Sequence, residues 1–361
     1  MKKICFFSGD ITRGGGTESV AVLIANALAK QGKYEILFLS LVEQQDTPFF
    51  SIDPKIKRYH LGEKWIQPGP GYLTVLPKLK RFLKEQRVNV VVDIDIVLDI
   101  LVIPVRKSTG IKVISWGHFS FYFEWESLYR RLILKIGTKR ADYCVTINEE
   151  NRGCYEKYLH RNEAVKTIYN PAVCGERKGI VSKRKYIFWV GRLVEIKGVN
   201  YLAETANIVL KQLPDWKWLV AGDGEERQWL ENYIAERGLE GRLMLLGRVE
   251  DLQQYYEKAE IYVLTSHSEG LPMCLLEAKS YDLPCVSFDI RTGPKEIIRD
   301  GVNGYLVEPY NCLKLAKKIV KLAEDETLRR QFAQNAKLDG EKFDLKCILD
   351  SWNEAFESLC G

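Results

Sequence analysis

Short apolar runs alternate with stretches of helical period along most of the chain. In the first half the runs are ICFF (4–7), YEILFLS (34–40), VNVVVD (88–93), KVISWG (112–117) and ADYCVTIN (141–148). Between them SVAVLIANALAKQG (19–32), KLKRFLKEQR after Pro77, and a segment over 124–139 repeat their apolar residues at helical spacing. Strands that are apolar throughout belong to a parallel sheet covered on both faces. The rhythm breaks at Asn170-Pro171 and the polar GERKGIVSKRK (175–185), which is expected to be exposed. It resumes with YIFWVG (186–191), a helix over 198–212, WKWLVAG (216–222), RLMLLG (242–247), helical DLQQYYEKA (251–259) and IYVLTS (261–266). A helix LPMCLLEAKSY (271–281), a strand PCVSFD (284–289), a short helix KEIIRD (295–300), one or two helices over 311–336 and a last amphipathic helix complete it. The pattern predicts an α/β chain of two doubly wound domains, with a ligand between them at the strand ends. The boundaries are set at 1–172, 173–340 and a C-terminal helical segment 341–361.

The chain has 361 residues, 46% of them hydrophobic, and a formal net charge of +5. A small disulfide-built module and a disordered tail are excluded, and each half has length enough for a core. The mean charge is too weak to point to nucleic acid, and none is expected as a partner. The mean conceals an asymmetry. Residues 1–170 carry 26 Lys or Arg against 18 Asp or Glu, whereas 171–361 carry 27 against 30. Two surfaces with different partners, or chance variation, account for the split equally well. Nine cysteines form no CxxC and have mostly apolar neighbours, as buried thiols in a reducing compartment do. The first apolar run ends in Ser8, Gly9 and Asp10, too soon for a signal peptide. The most apolar long window, 88–105, carries three aspartates, so no transmembrane span is predicted. A cytoplasmic protein is the expectation.

Candidate chemistry gathers at strand ends. Gly14-Gly15-Gly16 follow the first strand and open a helix, with Thr17 as its expected cap. Close backbone approach and free N–H groups suit a phosphate there, although the spacing is neither GxGxxG nor a kinase loop; a plain tight turn is the alternative. Arg192 and Lys197 follow YIFWVG, with Gly198 next. A guanidinium fork and an ammonium at a strand–loop–helix junction suit a diphosphate, though such pairs are common on any surface. In HSEGLPMCLLEAKSY, Glu269 lies in a loop after an apolar strand, Pro272 starts a helix, and Glu277 sits further along it. Carboxylates accept the protons of sugar and ribose hydroxyls; helix capping with a structural turn is the alternative. Thr292-Gly293-Pro294 makes another tight loop beside Arg291. His118 ends KVISWG, placed either to handle a proton or to support the fold. The four histidines form no metal-spaced cluster, and the DID at 93–95 lacks partner ligands, so no divalent metal is expected. Residues 119–140 crowd aromatics over 119–125 and carry five basic and no acidic residues over 127–140. Such a segment either lies on an anionic membrane, its aromatics in the interface, or buries its apolar side in a core.

In this order the motifs resemble the retaining GT-B glycosyltransferases of family 4, over nearly the whole chain. HSEGLPMCLLEA matches the E-x7-E element through Glu269 and Glu277, GRLVEIKG the arginine–lysine element through Arg192 and Lys197, SGDITRGGGTE the N-terminal glycine loop, and LVAGDGEE a strand-turn of the second domain. SFDIRTGPKEIIRDGVNGYLVEP further resembles bacterial enzymes of capsule, lipopolysaccharide or lipid-linked oligosaccharide synthesis, which often use UDP-galactose or UDP-N-acetylhexosamine. Many relatives carry proline where Arg291 stands, so the sugar's identity is not transferred. The resemblance implies two Rossmann-like domains facing across a cleft, acceptor-binding first and nucleotide-sugar-binding second, with the C-terminal helix returning to the first.

The resemblance also implies roles. Gly15 and Gly16 face the donor diphosphate, and Arg192 and Lys197 neutralise it. Glu277 binds the ribose hydroxyls, and Glu269 contacts the donor sugar. The backbone of Leu271, Pro272 and Met273 seats sugar and phosphates. His118 stands near sugar and acceptor, and Arg248 and Val249 hold the base through backbone groups. The implied reaction is metal-independent transfer of a hexose or N-acetylhexosamine from a UDP-sugar to a glycan or undecaprenyl-diphosphate-linked saccharide, with peripheral association at the inner face of the plasma membrane. A nucleotide-sugar epimerase on the same scaffold and a non-catalytic sugar-nucleotide adaptor are the alternatives. A nicotinamide dehydrogenase is disfavoured by the missing GxGxxG.

Overall fold

The structure is a computed structural model that describes residues 1–64, 70–172 and 183–360. Cys174, residue 173 of the expected boundary and most of the polar stretch 175–185 lie outside the described residues. The chain divides into two units, Met1–Asn170 together with Leu345–Gly361, and Pro171–Asp344.

The first unit is built on seven parallel strands: β1 (Lys2–Ser8), β2 (Tyr34–Val42), β3 (Lys57–Gly62), β4 (Val90–Asp93), β5 (Lys112–Gly117), β6 (Tyr143–Thr146) and β7 (Val165–Thr167). Their order is β3-β2-β1-β4-β5-β6-β7. The chain winds outward from β1 in one direction and then from β4 in the other, so the loops after these two strands part at a switch point. β4 reads VVVD and is buried at every residue, as a central parallel strand requires. The second unit holds β8 (Tyr186–Val190), β9 (Lys217–Ala221), β10 (Leu243–Gly247), β11 (Ile261–Leu264), β12 (Cys285–Phe288) and β13 (Gly304–Val307), ordered β10-β9-β8-β11-β12-β13. Its switch point lies between β8 and β11. Both units thus have the doubly wound, Rossmann-like architecture of the GT-B class.

The last helix, Leu345–Cys360, belongs to the first unit. Its stripe of Ile348, Leu349, Trp352, Ala355 and Phe356 is buried. The Trp352 ring meets Trp116 edge-on at 4.9 Å and Phe6 at 6.3 Å, and Phe356 meets Tyr34 at 5.3 Å. The chain's end therefore completes the core laid down by its beginning.

Several elements differ from the sequence expectation. The helix expected after Pro77 runs Pro70–Glu85 with Pro77 inside it. The proline forfeits one backbone bond, to Leu73, on the helix's exposed side. The single helix expected over 124–139 is two, Phe121–Glu126 and Leu128–Ile136, because Ser127 is extended and its hydroxyl caps the second at the Arg130 N–H. Thr17 does not cap its helix: Gly15 is the N-cap, without a side-chain bond, and Gly16 is the first helical residue. The helix Asp99–Thr109 begins in an apolar run that periodicity alone cannot separate from a strand. Every described cysteine is free, with Cys5, Cys144, Cys285 and Cys312 buried and Cys347 exposed. Among the described residues no helix is long and apolar enough to cross a membrane.

Trp352→Ala removes the ring that joins the last helix to β1 and β5. It is expected to destabilise the first unit by about 3–5 kcal/mol, read as a lower urea midpoint; an unchanged midpoint would show that the helix adds nothing to that core.

Candidate functional site

The second unit's switch point brings the loops after β8 and β11 together. After β8 the chain passes Arg192 and a short turn, Glu195–Lys197, into the helix Val199–Gln212. Gly198 makes the joint at φ 65°, and a Cβ there would lie 2.1 Å from the Thr265 carbonyl oxygen. Only glycine permits that backbone contact. Thr265, just past β11, answers from the other side. Its hydroxyl donates to the Lys197 carbonyl at 3.0 Å and accepts the buried Trp189 indole N–H at 3.0 Å. With the backbone so fixed, Lys197 Nζ donates to Glu269 Oε1 at 2.6 Å, and the Ser266 hydroxyl donates to the same oxygen at 2.6 Å. Burial works to lower the Lys197 pKa, but the Glu269 carboxylate outweighs it and holds the ammonium above its ordinary value.

The loop after β12 closes on this pair. The Thr292 hydroxyl donates to the Glu269 carbonyl. Gly293 has φ 98°, and a Cβ on it would meet Pro272 Cδ at 2.8 Å and Glu269 Cβ at 3.1 Å. Leu271 and Pro272 are buried, and Pro272 is the N-cap of the helix Met273–Ser280. Further along that helix Glu277 Oε2 accepts the Tyr256 hydroxyl at 2.8 Å. Burial raises the Glu277 pKa and the Tyr256 bond draws it partly back. Arg192 is exposed, yet near enough for its charge to oppose that of Lys197. Arg248 is exposed and Val249 half-buried just after β10, where the Gly247 carbonyl accepts the Gly222 N–H at 2.8 Å.

In the first unit the glycine loop carries its own carboxylate. Glu18 is buried and pairs with Arg13 at 2.6 Å, and a Cβ on Gly15 would come within 2.2 Å of Glu18 Oε2. Gly16 has open space where a Cβ would stand. His118, after β5, is buried; burial pushes its imidazole down to about 3, so it is neutral near pH 7. Its Nε2 has no hydrogen-bond partner among the described residues, and its ring lies 4.3 Å from Trp116. The DID motif serves the fold. Asp93 is buried at the end of β4, and burial and the neighbouring Asp99 hold its carboxyl far above the usual range. Asp99 in turn accepts from Ser115 at 2.7 Å and from Thr138. Asp95 caps a short turn through the Val97 N–H at 3.2 Å. Among the described residues no group of three or more His, Cys, Asp or Glu could hold a metal ion.

The structure therefore joins Lys197 to Glu269 and packs 271–273 and 292–293 around them, and it holds Glu277 through a separate partner. The sequence reading missed Thr265, Ser266, Thr292 and Tyr256 as supports. Thr265 and Ser266 were legible as hydroxyls at the end of an apolar strand beside Glu269. Tyr256 precedes Glu277 by a whole strand and helix turn, and no local signal links them.

Residues 176–339 match the family described as "Glycosyl transferases group 1". The chain is 31% identical to a protein of Haemophilus influenzae named as an uncharacterized glycosyltransferase, over 98% of this chain and 99% of that one. It is 26% identical to the Campylobacter jejuni "GalNAc-alpha-(1->4)-GalNAc-alpha-(1->3)-diNAcBac-PP-undecaprenol alpha-1,4-N-acetyl-D-galactosaminyltransferase", over 98% and 97%. In fold it is similar to Anabaena HepE solved with UDP and glucose, with a TM-score of 0.81 at 19% identity over 98% and 99% of the two chains. The chain belongs to the group 1 glycosyl transferases and is a glycosyltransferase.

Glu269→Gln removes the carboxylate that outweighs burial at Lys197, so the ammonium's pKa is expected to fall. Peptide-level acylation of Lys197 against pH reads this directly; an unmoved profile would show that the ion pair does not form in solution.

Proposed function

We propose that the chain is a retaining hexosyltransferase that moves a hexose or N-acetylhexosamine from a UDP-sugar to a hydroxyl of a glycan or undecaprenyl-diphosphate-linked saccharide in cell-surface polysaccharide synthesis. The observation that carries this reading is the sheltered pair of Lys197 with Glu269 at the switch point, where doubly wound folds bind their ligands. The activity for which the Campylobacter relative is named, on an undecaprenol-linked saccharide, supports the acceptor class.

In this reading Lys197 and Arg192 compensate the charge that builds on the leaving diphosphate. The diphosphate competes with Glu269 for the Lys197 ammonium. The released carboxylate accepts hydroxyl protons of the donor sugar. Gly15 and Gly16 present backbone to the diphosphate, and the backbone of Leu271, Pro272 and Met273 seats sugar and phosphates. Glu277, steadied by Tyr256, takes the ribose hydroxyls, and Arg248 and Val249 hold the base through backbone groups. His118, neutral and with Nε2 unpartnered, offers a hydrogen bond to a sugar or acceptor hydroxyl. The bond from the anomeric carbon to UDP breaks as the acceptor oxygen bonds to the same face. The acceptor's proton passes to the departing phosphate, and the products are UDP and the extended glycan. The basic balance of residues 1–170 suits an acceptor carrying a lipid diphosphate, at the inner face of the plasma membrane.

Lys197→Ala is expected to lower transfer roughly 10²–10³-fold, the scale for losing one charge-stabilising group, with an unchanged circular dichroism spectrum; wild-type turnover would reject the role. Because Arg192 and Lys197 meet the diphosphate charge, transfer is expected to continue in excess chelator. A complete loss restored by added divalent metal would overturn that. Mass analysis of the product separates transfer from epimerisation, and UDP release that depends on acceptor separates either from mere binding.

A further inference from the structure

The helix Leu128–Ile136 is apolar on two sides. Ile133 and Leu134 are buried in the first unit. Leu128, Leu132 and Ile136, four residues apart, are nonetheless 74%, 50% and 47% exposed, and Tyr129 beside them is 40% exposed. That spacing lines them along one outward stripe. Leu73, 70% exposed, belongs to the neighbouring helix Pro70–Glu85, which approaches where the hydroxyls of Tyr72 and Tyr129 face each other.

The five cations of 127–140 divide between two tasks. Arg130 turns inward. It donates to both Glu124 oxygens at 2.8 Å, stands 3.6 Å from Asp95, and lies over the rings of Phe119 and Phe123. It thereby ties the helix to the turn after β4. Arg131 lies over Trp125. Lys135 is exposed on the helix itself, and Lys139 and Arg140 are exposed in the turn that follows its end, where Arg140 donates to the Ile136 carbonyl. Glu126 is the one acidic side chain exposed within 121–140. The aromatics expected at a membrane interface are mostly not there: Phe121 stacks on Trp125 at 5.5 Å and meets Tyr155 at 5.2 Å, and Trp125 meets Tyr158 at 4.8 Å.

We infer that Leu128, Tyr129, Leu132 and Ile136, rimmed by Lys135, Lys139 and Arg140, form a docking face for an anionic lipid bilayer. A helix on a water-facing surface turns its charges outward and its leucines inward. This one turns leucines outward with cations beside them, the arrangement of a helix lying in a membrane interface. The cations match lipid phosphates, and the lack of acidic residues from 127 to 140 leaves nothing on the helix to repel them. The tie through half-buried Arg130 to buried Glu124 joins the helix to the unit, so that docking orients the whole unit. The inference deepens the membrane part of the proposed function and rests on it.

The test is co-sedimentation of the full chain with vesicles of phosphatidylglycerol and phosphatidylcholine, against phosphatidylcholine alone. Wild type is expected to bind the anionic vesicles and to weaken as salt rises. Leu132→Glu and Ile136→Glu, at positions already half exposed, are expected to abolish binding without lowering the melting temperature. Lys135→Gln and Lys139→Gln are each expected to weaken it roughly fivefold. Absence of wild-type binding, or wild-type binding by Leu132→Glu, overturns the inference. So does wild-type self-association in the ultracentrifuge that Leu132→Glu abolishes, since a second copy would then cover the face. UDP release with a water-soluble acceptor is expected to be unchanged in Leu132→Glu. If wild type binds vesicles and releases UDP from no UDP-sugar, the substrate reading fails and the docking face stands.

Discussion

A carbonyl oxygen and an α-carbon meet at Thr265 and Gly198 with no room for a side chain between them. That contact sets the spacing of the loops after β8 and β11. The Thr265 hydroxyl secures it by bonding the Lys197 carbonyl while the Trp189 indole bonds the hydroxyl. Lys197 adjoins Gly198, and Glu269 lies just beyond Thr265, so a rigid backbone brings their side chains together. A sheltered ion pair gains little net stability, because desolvation offsets most of the attraction unless further hydrogen bonds complete it. Ser266 supplies one such bond. A pair of this kind is better suited to exchange than to support: an incoming anion can take the ammonium and leave the carboxylate to a sugar.

The first unit handles its buried polar groups differently. At the turn after β4, the Asp93 carboxyl is held far above the usual range because burial and Asp99 both oppose its charge. His118 stays neutral because burial opposes the imidazolium. Elsewhere in the unit buried and half-buried acids are met by partners: Glu124 and Asp95 by Arg130, Glu18 by Arg13, and Asp99 by the Ser115 and Thr138 hydroxyls. The position of His118 depends on the far end of the chain, since Trp352 packs on Trp116 and Trp116 on His118. A hydrogen-bonding group at one end of β5 is held by a helix added more than two hundred residues later.

The central strands were legible because they are buried on both faces and so read as unbroken apolar runs. β3 and β7 were not, since an edge strand of half-exposed residues and one of three residues leave no such run. The helix break at Ser127 was hidden because apolar period continues across it, and only a side-chain cap separates the two pieces. Lys197, Glu269 and Glu277 could be named from their motifs. Of the partners that hold them only Ser266, three residues before Glu269, is local; Thr265 bonds across strands to the Lys197 carbonyl, and Tyr256 reaches Glu277 from another helix.

By itself the sequence determined two parallel doubly wound units and the residue types at their strand ends, because burial and helical period act locally along the chain. Tertiary structure alone decided that Lys197 faces Glu269, that the Glu18 side chain stands beside Gly15 while Gly16 has open space, and that Arg130 turns inward while Lys135 turns out. Each of these depends on which backbone approaches which, and on whether a charge finds its partner before it meets water.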